Sequence, residues 1–266
     1  MSEVRPCCLT IAGSDSGGNA GVQADLRAFH AYGLHGCTVL AALTAQNPNG
    51  VAAVHAVPPD FVAAQLDAVL GVYSIRALKT GMLADPAVVE AVADRVAAHP
   101  GIARVVDPVM VATSGAKLAD GPAVEAMKRC LLPLATVVTP NIPEAVALCG
   151  REAGAAELAK SLHGTFGCAV VVKGGHGSGG EAVDVLCDKT GEVREFSLPR
   201  IESPVSTHGT GCTFAAALAA ELALGRGLVA AVEGAKRHVH SAIARSYLVG
   251  DRCGVLGFAE EDGDDD

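Results

Sequence analysis

Apolar runs of strand length alternate with longer stretches of helical period along most of the chain. Residues 4–12 read as a strand, 20–32 as a helix, 37–43 and 51–57 as strands and 59–73 as a helix. The alternation continues through 77–80, 86–98, 104–107, 122–132, 136–139, 143–149, 155–166 and 168–173. Strands this uniformly apolar cannot leave one face in water, so helices must cover both sides of a mostly parallel sheet. The expected fold is α/β, a three-layer α/β/α sandwich.

After Gly174 the texture changes. Residues 182–187, a Lys189-Thr190-Gly191-Glu192 turn and residues 193–198 predict an antiparallel hairpin. Two helices close the pattern, over 209–224 and 228–247, each with a broad apolar stripe. No repeat or long linker interrupts the run, so residues 1–258 are expected to form one domain.

Composition narrows the class. The 266 residues are 50% hydrophobic and only 3% aromatic, with no Trp, which suits helices packed on branched aliphatic strands. The formal charge of −9 gathers at the end: Glu260, Glu261, Asp262, Asp264, Asp265 and Asp266 leave about −3 for the rest, and residues 259–266 are expected to be a solvated, disordered tail. A nearly neutral body without a Lys/Arg cluster cannot neutralise the phosphates of nucleic acid or of an anionic membrane, so both partners are set aside. Nine Cys residues, an odd count without a CxxC pair, read as reduced, buried thiols. The first residues show no basic segment ahead of an apolar stretch, and no window approaches 18 uninterrupted apolar residues, so a cytoplasmic protein is expected.

In open α/β sheets ligands bind beyond the carboxyl ends of the strands, and four loops there are unusual. The first, Ala12-Gly13-Ser14-Asp15-Ser16-Gly17-Gly18-Asn19-Ala20-Gly21, is glycine-dense and enters a helix whose first turns carry Gln23 and Asp25. It fits close approach to a ligand, and also a plain flexible turn. The second holds Gln46, whose amide matches the edge of an aminopyrimidine. The third, Thr139-Pro140-Asn141-Ile142-Pro143-Glu144, sets Asn and Glu three apart at a helix start. Glu144 there either orients a hard divalent ion through water or, with Asn141, caps the helix.

The fourth loop is the most informative: Ser206-Thr207-His208-Gly209-Thr210-Gly211-Cys212-Thr213, followed by an Ala-rich helix. Glycines at a helix start leave N–H groups pointing outward where the helix dipole favours negative charge, an anion hole for a phosphoryl group. No GK[ST] follows, so it is not a P-loop. Cys212 lies in the first turn, where the same N–H groups are expected to lower its pKa and make it a base for a hydroxyl nucleophile. A buried, inert thiol is the competing reading. Lys173 ends a strand and enters Gly174-Gly175-His176-Gly177, within reach of nucleotide phosphates, and neither His176 nor His208 is assigned to a metal.

In order along the chain, LTIAGSDSGGNAGVQADL, CTVLAALTAQN, PDFVAAQLDAV, KTGML, VVDPVM, LLPLATVVTPNIPEA, VVVKGGH and THGTGCT resemble the hydroxymethylpyrimidine and phosphomethylpyrimidine kinases, a branch of the ribokinase-like superfamily. The likeness runs to about Tyr247. It implies a ribokinase-like sandwich, ATP with Mg²⁺, a homodimer, and two successive phosphorylations, of a hydroxymethyl group and then of the monophosphate. By motif, it implies that Gly13, Asp25 and Gln46 hold the pyrimidine with Met82 and Val109 near its ring. Cys212 matches the catalytic thiol and Gly209, Thr210 and Gly211 the anion hole. Lys173, Asn141, Glu144 and Thr207 surround ATP and its metal. Three places depart from the family pattern: Asn19 stands where members usually carry Gly, Thr44 replaces a commoner apolar residue, and residues 250–258 lack the usual Gly-Pro-Leu. A pyridoxal or pyridoxine kinase on the same scaffold and a non-catalytic pyrimidine sensor remain as alternatives.

Overall fold

Residues 5–48, 50–111, 115, 118, 121–175, 179–251 and 253–258 are described by a computed structural model; His176 and the acidic segment 259–266 lie outside the described residues. In chain order the elements are β1 (Cys7–Asp15), α1 (Gly21–Ala31), β2 (His35–Asn47), β3 (Gly50–Ala56), α2 (Pro59–Leu70), β4 (Ile75–Thr80), α3 (Pro86–Ala97) and β5 (Ala103–Val106). Then come α4 (Gly121–Ala126), β6 (Val137–Val138), α5 (Ile142–Cys149), α6 (Ala155–Phe166), β7 (Ala169–Val172), β8 (Glu181–Cys187), β9 (Val193–Pro199), α7 (Thr210–Ala223), α8 (Leu228–Ala244), β10 (Tyr247–Val249) and β11 (Cys253–Val255).

β1 to β9 form one sheet in the order β3-β2-β1-β4-β5-β6-β7-β8-β9. The stretch from β2 to β7 is parallel, while β3, β8 and β9 pair antiparallel at the two edges. Alternate residues of the central strands feed two cores. Val106, Val138, Val170 and Val172 face α2 to α6, whereas Val105, Val137, Ala169 and Val171 face α1, α7 and α8. Both faces are thus covered, which is why these strands carry no polar alternation. Full burial of a side chain such as Leu9 or Leu158 stabilises the sandwich by roughly 1.5–3 kcal/mol each.

Helix starts follow local chemistry. Pro59 and Pro86 occupy first-turn positions that need no N–H, and the Asp85 carboxylate accepts from the Ala87 and Val88 amides. Near 122–132 the helix read from the sequence is shorter: α4 gives way to a π turn over Met127–Leu131 and a 3₁₀ turn over Leu132–Leu134, because Pro133 cannot extend an α-helix.

Other boundaries differ for reasons that bear on the site. β1 runs on to Asp15, since Gly13, Ser14 and Asp15 pair with Ala42, Leu43 and Thr44 after a register shift at Ala12. Half of the glycine loop is therefore fixed strand. The segment near 51–57 pairs back on β2 as an antiparallel edge, with its last five residues exposed. α8 stops at Ala244, short of the expected Tyr247, because Tyr-Leu-Val favours a strand and Gly250-Asp251 turns it into the β10–β11 hairpin. Among the described residues no helix is long and apolar enough to cross a membrane. All nine cysteines are unpaired; Cys8, Cys37, Cys168 and Cys187 are buried, and the other five are half-buried rather than buried as expected.

Candidate active site

A cavity of about 590 Å³ opens beyond the carboxyl ends of the parallel strands and extends between β8, β9 and α8. Gly13, Gln46, Met82, Val109, Asn141, Glu144, Lys173, Thr207, Gly209, Thr210, Gly211 and Cys212 all line it. One expected residue does not. Asp25 has no exposed surface; both of its carboxylate oxygens lie 2.9 Å from Lys79 Nζ, and Thr10 Oγ1 donates to it at 2.5 Å. It lies behind the wall, and Lys79 stands at the wall in its place.

The catalytic loop is built by two interlocked turns. Gly209 caps α7 with φ of 85°, and a Cβ there would sit 2.0 Å from the Asn19 carbonyl oxygen. Gly21 opens α1 with φ of 56°, and a Cβ there would sit 2.2 Å from the Gly13 carbonyl oxygen. Only glycine permits both the left-handed backbone and the contact. No side chain caps α7; the Thr210 N–H turns back to the Thr207 carbonyl at 3.4 Å, and those of Gly211 and Cys212 are left to a ligand. The Gly21 N–H also reaches the Cys212 sulfur, so the starts of α1 and α7 converge on one thiol.

The expected lowering of the Cys212 pKa is not what the pocket produces. Burial pushes the thiol up, the Lys79 ammonium and the Gly21 N–H pull it down, and the charges of Asp25 and Asp107 add to the rise. Desolvation wins, so Cys212 rests protonated. For Lys79, burial works downward, but Asp25, Cys212 and Asp107 outweigh it and hold the ammonium above the usual lysine range. Burial also pushes the Asp25 carboxyl up against the pull of Lys79. The three hydrogen bonds that Asp25 accepts and the raised Lys79 place the pair in its charged form.

Further along the cavity Lys173 Nζ pairs with Asp107 at 2.8 Å, and Thr139 Oγ1 donates to the same carboxylate at 3.1 Å. The Asn141 side chain accepts from the Glu144 amide at 2.8 Å, and the Glu144 carboxylate accepts from the Asn141 amide at 2.9 Å. The capping reading of this pair is therefore realised, and Glu144 still faces the cavity. Burial pushes its carboxyl up to about 7, with Lys173 opposing and Asp107 adding to the rise. Beyond, Lys236 meets Asp184 at 2.8 Å, and Asp184 accepts from the Gly174 amide at 2.9 Å.

Asp15 organises the glycine loop, accepting from the amides of Gly17, Asn19 and Ala20 at 2.8–2.9 Å. Burial acts to raise it, but His208 and these amides hold it below the usual carboxylate range. His208 Nε2 approaches Asp15 from the anion-hole loop at 3.8 Å, beyond hydrogen-bond distance. Sequence reasoning assigned no role to Lys79, Asp107, Asp184, Lys236 or Asp15. The signal was there for two of them: Lys79 and Asp107 are charges set in apolar runs at strand ends. No cluster of three or more His, Cys, Asp or Glu side chains placed to hold a metal occurs among the described residues.

The description phosphomethylpyrimidine kinase belongs to the family model that matches residues 15–257. The chain belongs to that family. It is a kinase, a phosphotransferase. A hydroxymethylpyrimidine/phosphomethylpyrimidine kinase of Rhizobium meliloti is 49% identical over 89% of this chain and 90% of its own length. The thiamine biosynthesis bifunctional protein of Geobacter sulfurreducens is 48% identical over 92% of this chain, which spans only 51% of that relative. Among solved structures, the ADP complex of Bacillus subtilis pyridoxal kinase superposes with a TM-score of 0.87 at 34% identity, covering 96% of this kinase and 98% of that chain. The fold is ribokinase-like, as the motifs implied.

Proposed function

We propose that this kinase transfers the γ-phosphoryl group of ATP to the hydroxymethyl group of 4-amino-5-hydroxymethyl-2-methylpyrimidine and then to the resulting monophosphate, giving the diphosphate used in thiamine biosynthesis. The observation that carries the reading is the convergence of Cys212, the uncapped start of α7 and the Gly13–Gly21 turn on one cavity wall, with Lys173 Nζ 3.4 Å from where a Cβ on Gly211 would sit. The ring lies between Gly13, Gln46, Met82 and Val109. The nucleotide phosphates run from the α7 start towards Lys173, Asn141 and Thr207. Residues 1–258 act as one catalytic domain in the cytoplasm, a setting supported by nine unpaired cysteines.

Phosphoryl transfer passes through a loose transition state, so positioning and charge stabilisation do most of the work. The N–H groups of Gly211 and Cys212 receive the migrating phosphoryl oxygens. Because Cys212 rests protonated, it first gives its own proton to solvent as substrate and nucleotide enter the site; the thiolate, stabilised by Lys79, the Gly21 N–H and the helix start, then takes the hydroxyl proton as the phosphoryl group arrives. In the second step the nucleophile is a phosphate oxygen that is already anionic, and little base is needed. Mg²⁺ fits the donors present: Glu144, pushed up to about 7 beside Asp107, is the kind of crowded hard-oxygen pair that a divalent ion relieves. Glu144 would hold the ion through water, with Asp107 alongside, and the ion would offset phosphate charge.

A homodimer is supported by apolar side chains exposed near the β2–β3 edge, Leu43, Val54 and Phe61. A pyridoxal or pyridoxine kinase is the second reading, favoured by the superposition on the Bacillus subtilis enzyme. An ATP-consumption assay across the pyrimidine alcohol, its monophosphate and pyridine alcohols decides. Turnover of both pyrimidines supports the proposal, turnover of pyridine alcohols alone replaces it with the second reading, and binding without ATP consumption leaves a sensor.

A further inference from the structure

Thr44 and Gln46 stand two apart on β2 and therefore on the same face, and both line the cavity beside Gly13 and Ser14. Thr44 Oγ1 lies 2.9 Å from the Ser14 carbonyl oxygen and 3.3 Å from Oε1 of Gln46. A hydroxyl carries one proton, and both of these neighbours can only accept. The shorter contact falls within the O–H···O range of about 2.5–3.0 Å and the longer one outside it, so the proton goes to Ser14. Thr44 Oγ1 then presents a lone pair to Gln46, and two facing acceptors repel. Half a turn of the Gln46 carboxamide, which hardly changes its shape, removes the conflict: its NH₂ donates to Thr44 and its carbonyl oxygen enters the cavity.

We propose that Thr44 is a specificity-determining positioning residue, which holds the Gln46 carbonyl oxygen toward the acceptor site and so selects rings bearing an amino group beside the reacting arm over rings that present only an acceptor there. The inference rests on the pyrimidine reading above and deepens it. An aminopyrimidine donates an N–H to the fixed carbonyl. Pyridoxal carries an aldehyde beside its reacting hydroxymethyl arm instead, an acceptor that meets a like acceptor and leaves the carbonyl unpaired. Rejection by an unpaired polar group is stronger than rejection by shape alone. An apolar residue at position 44 would release the amide to turn and serve either ring.

The test uses the full-length kinase and its Thr44→Val and Thr44→Ser variants, with thermal unfolding to confirm folding. Steady-state kinetics with the aminopyrimidine alcohol and with pyridoxal, and calorimetric binding of each, supply the readouts. Thr44→Val should lower the preference for the aminopyrimidine by about five- to tenfold, the value of one hydrogen bond, through KM and Kd rather than kcat. Thr44→Ser should restore it. An unchanged preference in Thr44→Val, or a serine variant that behaves like the valine one, overturns the inference. If the parent phosphorylates neither alcohol, the proposed function falls, and the calorimetric preference alone then decides Thr44: a preference lost in Thr44→Val upholds it, and no preference in the parent ends it.

Discussion

Lys79 Nζ lies 2.9 Å from both carboxylate oxygens of Asp25, and neither side chain has any exposed surface. The pair connects β4 to α1 behind Cys212, where the Lys79 ammonium favours the thiolate over the thiol. Breaking it by Lys79→Met or by Asp25→Asn leaves a buried charge without its counter-ion. Each single variant should lose about 3–5 kcal/mol in urea denaturation, and the double variant less than the sum of the two. Strict additivity would show that the two groups do not depend on one another.

The same geometry predicts how Cys212 reacts. With the thiol held up by burial and drawn down mainly by Lys79, alkylation of the free kinase at neutral pH should be slow, and slower still in Lys79→Met. Cys212→Ala should lower kcat for the alcohol by about 10²-fold or more, with a small change in the KM for ATP. The loss on the monophosphate should be smaller, since that nucleophile carries its own charge. Equal losses on the two substrates would remove the assignment of Cys212 as base.

Much of this architecture was legible in the sequence, because fully apolar strands and 3.6-residue stripes are direct consequences of burial on both sides of a sheet. The Gly209–Cys212 turn was legible for a similar reason: no other residues permit a left-handed backbone against Asn19 and an uncapped helix start together. Charge pairing was not. The resemblance implied Asp25 at the ring, while its partner Lys79 is 54 residues away and the β1–β4 pairing brings the two together. The protonation of Cys212 escaped for the same reason, since a helix start can be read from local sequence and desolvation by distant elements cannot. The β10–β11 hairpin was hidden because only Arg245 and Ser246 separate α8 from the Tyr-Leu-Val strand, and neither is a helix breaker.

Glu144 should make the free kinase less stable as pH rises. Its folded carboxyl is raised to about 7, above the unfolded value near 4.3, so between these limits the native state binds a proton that the unfolded chain has released. Stability should decline across that window by about 3–4 kcal/mol and level off above it. Glu144→Gln keeps the oxygen that accepts from the Asn141 amide and cannot titrate, so the decline should flatten. Urea midpoints from pH 4.5 to 8 measure it. An identical slope in the variant would mean that another group carries the effect.

Gly209→Ala tests the turn on which phosphate binding depends. Its new Cβ meets the Asn19 carbonyl oxygen at 2.0 Å on a backbone with φ of 85°, so strain and clash add. The glycine loop has to move away from α7, and that movement drags the Gly21 N–H from the Cys212 sulfur and Asp15 from His208. The kinase should lose about 2–4 kcal/mol of stability, and the folded fraction should lose more than tenfold in kcat/KM for both substrates. Lowering the temperature until the variant is fully folded separates the two effects. A folded Gly209→Ala enzyme with parental kcat/KM would show that the Asn19–Gly209 contact is dispensable, and that the phosphoryl group is held elsewhere in the cavity.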